Sequence, residues 1–217
     1  MSQPVRIALI HALAHSVEPI NAEMARAWPE AIRMNLLDDS LSADLARDGR
    51  GLDAAMHERF ECLAAYAEAT GARGILFTCS AFGSCIEAVA ARRPHMPVLK
   101  PNEAMIADLA RVQGPVGLIA SFAPTLASMP AEFPPQVPLK TALVEGAMAA
   151  LNAGDGPGHD AAVVAVARHL AAQGCQALAL AQFSMARAAA AVTAATGLPV
   201  FTTPGSAVGL LRRQLAP

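Results

Sequence analysis

Aromatic side chains are scarce in this sequence: Phe, Tyr and Trp make up 4% of it, although 54% of the residues are hydrophobic. Such a core must be built from Ala, Leu, Val, Ile and Met, a composition suited to helices lying closely on a sheet. Long apolar runs are also missing, and no uninterrupted stretch approaches the length that spans a bilayer, which argues against a membrane partner. The formal net charge is only −2, with no Lys/Arg stripe and no interleaving of aromatic and basic residues, which argues against nucleic acid. The four cysteines (Cys62, Cys79, Cys85 and Cys175) include no C-x-x-C pair, and the six histidines are dispersed, so no metal site is expected. The opening run MSQPVRIALIH lacks the apolar core and small-residue cleavage site of a signal peptide, so a cytoplasmic protein is expected.

What the chain does have is regular alternation. Its 217 residues are enough for a substantial core. Strand-like runs fall at Arg6–His11, Arg33–Leu37, Gly74–Thr78, Val98–Leu99, Val116–Ala120, Thr141–Val144, Ala177–Ala181 and Val200–Phe201. Between them lie amphipathic stretches such as 52–69, where Leu52, Met56, Phe60, Leu63 and Tyr66 recur at helical spacing, and similar stretches at 104–112 and 159–172. Strand and helix in succession imply an α/β fold with mainly parallel sheets flanked by helices.

The two halves of the chain also resemble each other. RIALIHALAHS at Arg6 can be laid on VGLIASFAPTL at Val116, and GARGILFTCSAFG at Gly71 on GCQALALAQFSMA at Gly174. MPVLKPNEAM at Met96 lies on LPVFTTPGSAV at Leu198 after a shift of one residue. Two pseudo-symmetric α/β domains are therefore expected: residues 1–100 with the last helix, 207–217, returning to complete the first, and 101–206 forming the second. In open α/β sheets ligands bind beyond the carboxyl ends of the strands, so such a pair is expected to share one cleft.

On this plan Cys79, in FTCSAFGSC, follows a strand and opens the helix that carries Cys85. The N–H groups of Ser80, Ala81 and Phe82 would be free to bind an anion, and the helix dipole with a basic neighbour would lower the thiol pKa. A carboxylate held there would bring its neighbouring carbon within reach of the thiol, as proton removal alpha to a carboxylate requires. Read locally, the same residue is equally a buried cysteine at a strand end.

The run ILFTCSAFG, the strand end LALAQFSMA and the duplication together resemble the aspartate/glutamate/hydantoin racemase superfamily, which includes maleate isomerases and arylmalonate decarboxylases. The resemblance covers nearly the whole chain. It implies two pseudo-symmetric domains, a site in the interdomain cleft, no cofactor or metal, a small carboxylate substrate and a homodimer. It also implies a cysteine from each domain on opposite faces of the substrate carbon. This chain departs from that pattern: the position matching Cys79 is Gln182, and a neutral amide cannot serve as a proton-transfer base. A single Cys79 fits one-sided protonation after decarboxylation of a malonate-type acid, covalent addition to an unsaturated diacid, or racemisation with another base. A carboxylate- or hydantoin-binding protein without turnover is the reading outside enzymology.

The remaining site residues follow from position. His11 ends the first strand and either tunes or deprotonates Cys79 or is bonded to backbone. Ser16 lies on the following loop, reaching the cleft or capping a helix. Ser121, read as the repeat partner of His11, and Thr125 form a turn that holds a carboxylate or simply caps. Thr202 and Thr203 close the last strand, and Ser184 follows Gln182. Asp38 and Asp39 read as turn chemistry, Lys100 as a solvated lysine beside a proline turn, and Met185 as helix packing. The expected substrate-binding set is thus Ser16, Ser80, Ala81, Ser121, Thr125, Gln182, Ser184 and Thr202, around Cys79 and His11.

Overall fold

A computed structural model describes residues 4–48 and 51–215 of the chain. The ends of the expected domains at 1–3 and 216–217 lie outside the described residues. By internal contacts the chain divides into two units, Met1–Ala104 with Ala207–Pro217, and Met105–Ser206.

The first unit runs β1 (Arg6–His11), α1 (Val17–Ala27), β2 (Ile32–Leu37), α2 (Ser40–Asp48), α3 (Ala54–Ala69), β3 (Gly74–Phe77), α4 (Gly83–Ala91) and β4 (Val98–Leu99). Then come α5 (Glu103–Leu109), at whose start the division falls, β5 (Val116–Ala120), α6 (Ala123–Ser128) and β6 (Leu139–Leu143). The chain continues through α7 (Ala147–Asn152), α8 (Gly156–Ala172), β7 (Ala177–Leu180), α9 (Ala189–Thr196), β8 (Val200–Thr202) and α10 (Thr203–Leu215). Each unit holds one four-stranded sheet, in the orders β2-β1-β3-β4 and β6-β5-β7-β8, with every pairing parallel. Parallel neighbours need a crossover, and the helices between strands supply it. Among the described residues no helix is long and apolar enough to cross a membrane.

Why these segments take these forms is visible locally. β3 and β7 are four-residue apolar runs buried on both faces, as central parallel strands are. The edge strands β2 and β6 are partly exposed along their length. Asp53 caps α3 by accepting from the Met56 N–H at 2.9 Å, and Asp155 caps α8 through the Gly158 N–H at 2.8 Å. Gly71 (φ 84°) and Gly174 (φ 88°) take the left-handed conformation at matching places before β3 and β7, where a side chain would be strained.

The apolar stripe of α3 differs from expectation after its second turn. Met56 and Phe60 are buried, but the stripe passes to Ala64 and Ala67, leaving Tyr66 57% exposed. The drift is that of a 3.6-residue period, and alanines let α3 lie close. Phe60 stacks on Phe77 with centroids 5.2 Å apart and meets Phe82 at 4.9 Å, so three of the few aromatics cluster under the end of β3. α10 seals the other face, where Leu211 and Leu215 cover Gly74 closely enough that an added Cβ would meet them at 3.3 and 2.9 Å.

The register also revises the repeat by one residue. With Gly74 laid on Ala177, β1 pairs Ile7 with Gly74 and β5 pairs Val116 with Ala177. Ile7 therefore matches Val116, His11 matches Ala120, and Ser121 matches Ala12 rather than His11. Two bonds from the edge strands agree: the Asp38 N–H donates to the His11 carbonyl and the Val144 N–H to the Ala120 carbonyl. The one-residue shift at the last strand holds as expected, since Ile75 pairs with Val98 and Leu178 with Val200.

Close approach in the second unit rests on Gly117, where a Cβ would meet Leu178 at 2.8 Å and Leu170 at 3.0 Å. Gly117→Ala is expected to destabilise by about 1–3 kcal/mol, seen as a lower urea midpoint at unchanged m-value. In the first unit Arg93, almost wholly buried, binds Glu61 at 2.6 and 3.0 Å and Glu68 at 3.0 Å. The Arg93 hydrogen bonds hold the Glu61 carboxyl below its ordinary range, against an opposing push from burial. That stabilisation is present above the ordinary carboxylate range and is lost as pH falls. Arg93→Met should cost about 1–3 kcal/mol at neutral pH, with a smaller loss below about pH 4, measured by urea unfolding across pH.

Candidate functional site

The ladder between β1 and β3 ends where the Thr78 N–H donates to the Ile10 carbonyl at 3.0 Å. Cys79 is the next residue, still extended (φ −128°, ψ 121°), and it precedes a 3-10 turn at Ser80–Phe82 before α4 starts at Gly83. The Ala81 N–H and the hydroxyl of Ser42 on α2 pull its thiol pKa down. Behind it lies a gap too small to admit water, walled by Ile10, Leu41, Phe60 and Phe77 and also touched by His11. Burial against these side chains pushes the thiol pKa up, and the two hydrogen bonds only partly counter it.

The expected lowering of that pKa is thus corrected. No charged side chain contributes to the shift, and the Ala81 N–H serves the sulfur of Cys79. The intervening 3-10 turn also separates Cys79 from the start of α4, weakening any help from the helix dipole.

His11 is fully buried, with Nδ1 2.9 Å from Thr78 Oγ1 and Nε2 3.0 Å from Asn35 Oδ1. Burial lowers its pKa, outweighing the Asn35 hydrogen bond, so the ring is neutral near pH 7. Because Asn35 Oδ1 only accepts, Nε2 carries the hydrogen and Nδ1 accepts from the Thr78 hydroxyl. Among the described residues no hydrogen bond joins His11 to Cys79; the ring ties β1 to the ends of β2 and β3. Asn35 is further paired to Asn21 on α1 at 2.9 and 3.2 Å. His11 and His15 are four residues apart, but one closes a strand and the other lies in a 3-10 turn. Among the described residues no group of three or more His, Cys, Asp or Glu side chains could hold a metal ion.

Ser42 escaped the sequence reading, and so did the ionic staple beside it. Arg59 on α3 reaches Asp38 at 2.8 Å and Asp44 at 2.6 Å, while Asp38 also accepts from Ser40. This pins the first turns of α2, and Leu41, fully buried against the apolar gap, fixes their rotation. Asp38 is therefore both turn chemistry and half of an ion pair. Lys100, expected to be solvated, donates to Glu87 at 2.7 Å. Ser16 stands before α1 without a side-chain cap, while Ser80 and Ala81 are exposed.

In the second unit Gln182 takes the backbone conformation of Cys79 (φ −126°, ψ 149°) at the start of a 3-10 turn, Phe183–Ala188. Its Oε1 accepts from the Ser121 N–H at 2.7 Å and the Ser121 hydroxyl at 3.2 Å. A backbone N–H can only donate, so the amide orientation is settled and its NH₂ group turns away. Ser121 accordingly holds Gln182 instead of capping α6. Thr125 is buried, Ser184 half-buried, and Met185 fully buried in the core. Thr202 caps α10 by accepting from the Gly205 N–H at 3.1 Å. Thr203 is fully buried, and among the described residues its hydroxyl has no hydrogen-bond partner.

Solved structures share this architecture at low sequence identity. The chain covers 98% of itself and 99% of an aspartate racemase homologue from Pyrococcus horikoshii, at TM-score 0.74 and 12% identity. An allantoin racemase from Klebsiella pneumoniae aligns over 98% of this chain and 88% of its own, at TM-score 0.71 and 21% identity. A mutant arylmalonate decarboxylase with sulfate associated aligns over 97% and 94%, at TM-score 0.67 and 18% identity. No curated protein sequence matches significantly. A family model for Asp/Glu/Hydantoin racemases, however, matches residues 14–211, nearly the full length, and the chain belongs to that family.

Proposed function

We propose that the chain is a cofactor-independent enzyme of racemase or isomerase type, working at the carbon next to a carboxylate of an amino acid, hydantoin or small diacid, with Cys79 as acid/base or nucleophile. The supporting observation is the setting of Cys79: it follows the carboxyl end of the central strand β3 and is backed by the apolar side chains of Ile10, Leu41, Phe60 and Phe77. Membership of the racemase family supports the same chemistry. In the forward step the sulfur takes the alpha proton, the C–H electrons pass into the carboxylate as an enediolate, and protonation of that carbon completes the reaction. Neutral donors suit a carboxylate, and Ser16 and Ser80 belong to the same unit as Cys79, with Thr125, Gln182, Ser184 and Thr202 as the candidates of the second unit. His11 enters through Thr78, holding the strand end from which Cys79 departs. The reading includes a cytoplasmic homodimer as its working form.

A one-cysteine decarboxylase is the second reading, favoured by one contrast. Cys79 is held protonated by burial, and its counterpart is an amide clamped by Ser121. A protonated thiol facing a carbon that has just lost CO₂ can donate its proton from one side only, and water then restores the thiol.

The two readings diverge in pH dependence. Because burial raises the thiol pKa, base-type exchange should climb with pH past the ordinary thiol range near 8.5, whereas acid-type protonation should fall over the same limb. The assay is NMR in D₂O with aspartate, glutamate, 5-substituted hydantoins, maleate and arylmalonates. Deuterium incorporation at the alpha carbon should drop at least ~100-fold in Cys79→Ser. Unchanged incorporation would remove Cys79 from the chemistry, and no turnover of any acid would leave a binding protein. Gln182→Cys should raise racemisation of a substrate that the parent exchanges from one side; no gain in enantiomer interconversion would count against the equivalence of positions 79 and 182.

A further inference from the structure

One polar chain in the first unit can be followed atom by atom from a backbone carbonyl to the strand end that precedes Cys79. The Val17 carbonyl accepts from Asn21 Nδ2 at 2.7 Å, which fixes the orientation of that amide. Asn21 and Asn35 then face each other as a reciprocal pair. Asn21 Nδ2 donates to Asn35 Oδ1 at 2.9 Å, and Asn35 Nδ2 donates back to Asn21 Oδ1 at 3.2 Å. Asn35 Oδ1 is thereby turned to the buried His11 ring, where it accepts from Nε2 at 3.0 Å. Nδ1 is left as the acceptor for the Thr78 hydroxyl at 2.9 Å. Each direction in the chain follows from the one before it, so the tautomer of His11 is set from outside the ring.

The second unit gives an independent reason to regard this chain as a built feature. By strand register His11 matches Ala120, Asn35 matches Thr141 and Thr78 matches Ala181. Two of the three polar groups are alanine there, so the chain cannot form in the unit whose strand end leads to the neutral amide of Gln182. It is present in the unit that carries an ionisable thiol. His11 and Cys79 also line one gap that admits no water. A charge on the ring would therefore reach the sulfur with little screening.

We propose that Asn35 is a positioning residue for Cys79: by presenting a neutral oxygen to His11 Nε2–H, it fixes the tautomer of the imidazole and leaves it uncharged beside the gap that the ring shares with the sulfur. The proposal rests on the catalytic reading of Cys79 given above. It makes the choice of amide over carboxylate at position 35 decide the charge next to the thiol. A carboxylate there would hold the ring as imidazolium. The chain has room for that proton, because Nδ1–H would donate to Thr78 Oγ1 and the Thr78 O–H would turn to the Ile10 carbonyl, 3.4 Å away. Burial keeps the ring neutral against a weaker opposing pull from the Asn35 hydrogen bond, and no charged side chain contributes. The charged groups on the packed elements are engaged elsewhere: Arg33 on β2 by the Asn21 carbonyl, Asp38 after β2 by Arg59 and Ser40, and Glu23 and Arg26 on α1 by each other. Glu18 on α1 is exposed, and at the end of β3 the titratable group is Cys79 itself.

The test is Asn35→Asp, in a Cys62→Ser background because Cys62 is exposed while Cys85 and Cys175 are buried. Asn35 is itself exposed and the aspartate has the same shape, so the variant should fold. Imidazole nitrogen NMR, with the His11 signals assigned by their loss in His11→Gln, should show a neutral Nε2–H tautomer near neutral pH in the parent and a charged ring in Asn35→Asp. In the same variant the pH midpoint for alkylation of Cys79 by iodoacetamide should fall by about half a pH unit. Asn35→Asp added to His11→Gln should give no such fall, because the ring that carries the charge is gone. A ring that stays neutral in Asn35→Asp, a midpoint equal to the parent's beside a charged ring, or an equal fall without His11 would each overturn the proposal. Neither measurement needs a substrate, so the two ideas separate. A lowered midpoint with no deuterium exchange on any acid keeps the action of Asn35 on the thiol and removes the catalytic reading. Exchange that depends on Cys79 with an unmoved midpoint does the reverse.

Discussion

Everything at the candidate site hangs on where the parallel ladder between β1 and β3 stops. The Thr78 N–H makes the last bond to the Ile10 carbonyl, and the His11 ring bonds the Thr78 hydroxyl from the neighbouring strand. Cys79 therefore leaves the sheet from a fixed point with a fixed direction. A bond fewer would let the sulfur swing toward solvent; a bond more would bury it within the strand. The equivalent bond in the second unit, from the Ala181 N–H to the Ile119 carbonyl at 2.9 Å, launches Gln182 in the same way. In a fully parallel sheet this register is set by apolar residues buried on both faces, so the site's geometry is a consequence of core packing.

The electrostatics of the first unit follow one rule: charge is neutralised away from the thiol. Arg59 is taken by Asp38 and Asp44, Arg93 by Glu61 and Glu68, and Lys100 by Glu87. What remains around the sulfur is neutral: a hydroxyl, a backbone N–H, an uncharged imidazole one residue removed, and aliphatic and aromatic walls. Such surroundings stabilise a thiol over a thiolate, and hydrogen bonds supply the only opposition. Here a resting thiolate is disfavoured.

Much of the fold was legible because its signals are local. Among the described residues, eight strands stand where short apolar runs end in turn residues, and their boundaries differ from the sequence reading by at most two residues, as at β6. Cys79 and Gln182 were found by laying one half on the other. Two things were not legible. The pairing of Ser121 with Ala12 depends on ladder register, and VGLIAS can be slid by one residue against RIALIH without losing its apolar pattern. Ser42 had no signal at all: a serine in the first turn of a short helix is ordinary, and its effect on the Cys79 thiol is a tertiary one. The helix dipole was over-weighted for a related reason, since the 3-10 turn at Ser80–Phe82 and the burial beneath it are tertiary facts.

The contrast between Cys79 and Gln182 is the sharpest feature that remains. Both are extended residues at the carboxyl end of a central strand, and both open a 3-10 turn. Their chemistry differs in one respect, since a thiol can release and regain a proton and a neutral amide does not. Position 182 is therefore where the two units part in acid–base capacity: Ser121 holds an amide that stays neutral, while the matching place in the first unit carries an ionisable thiol.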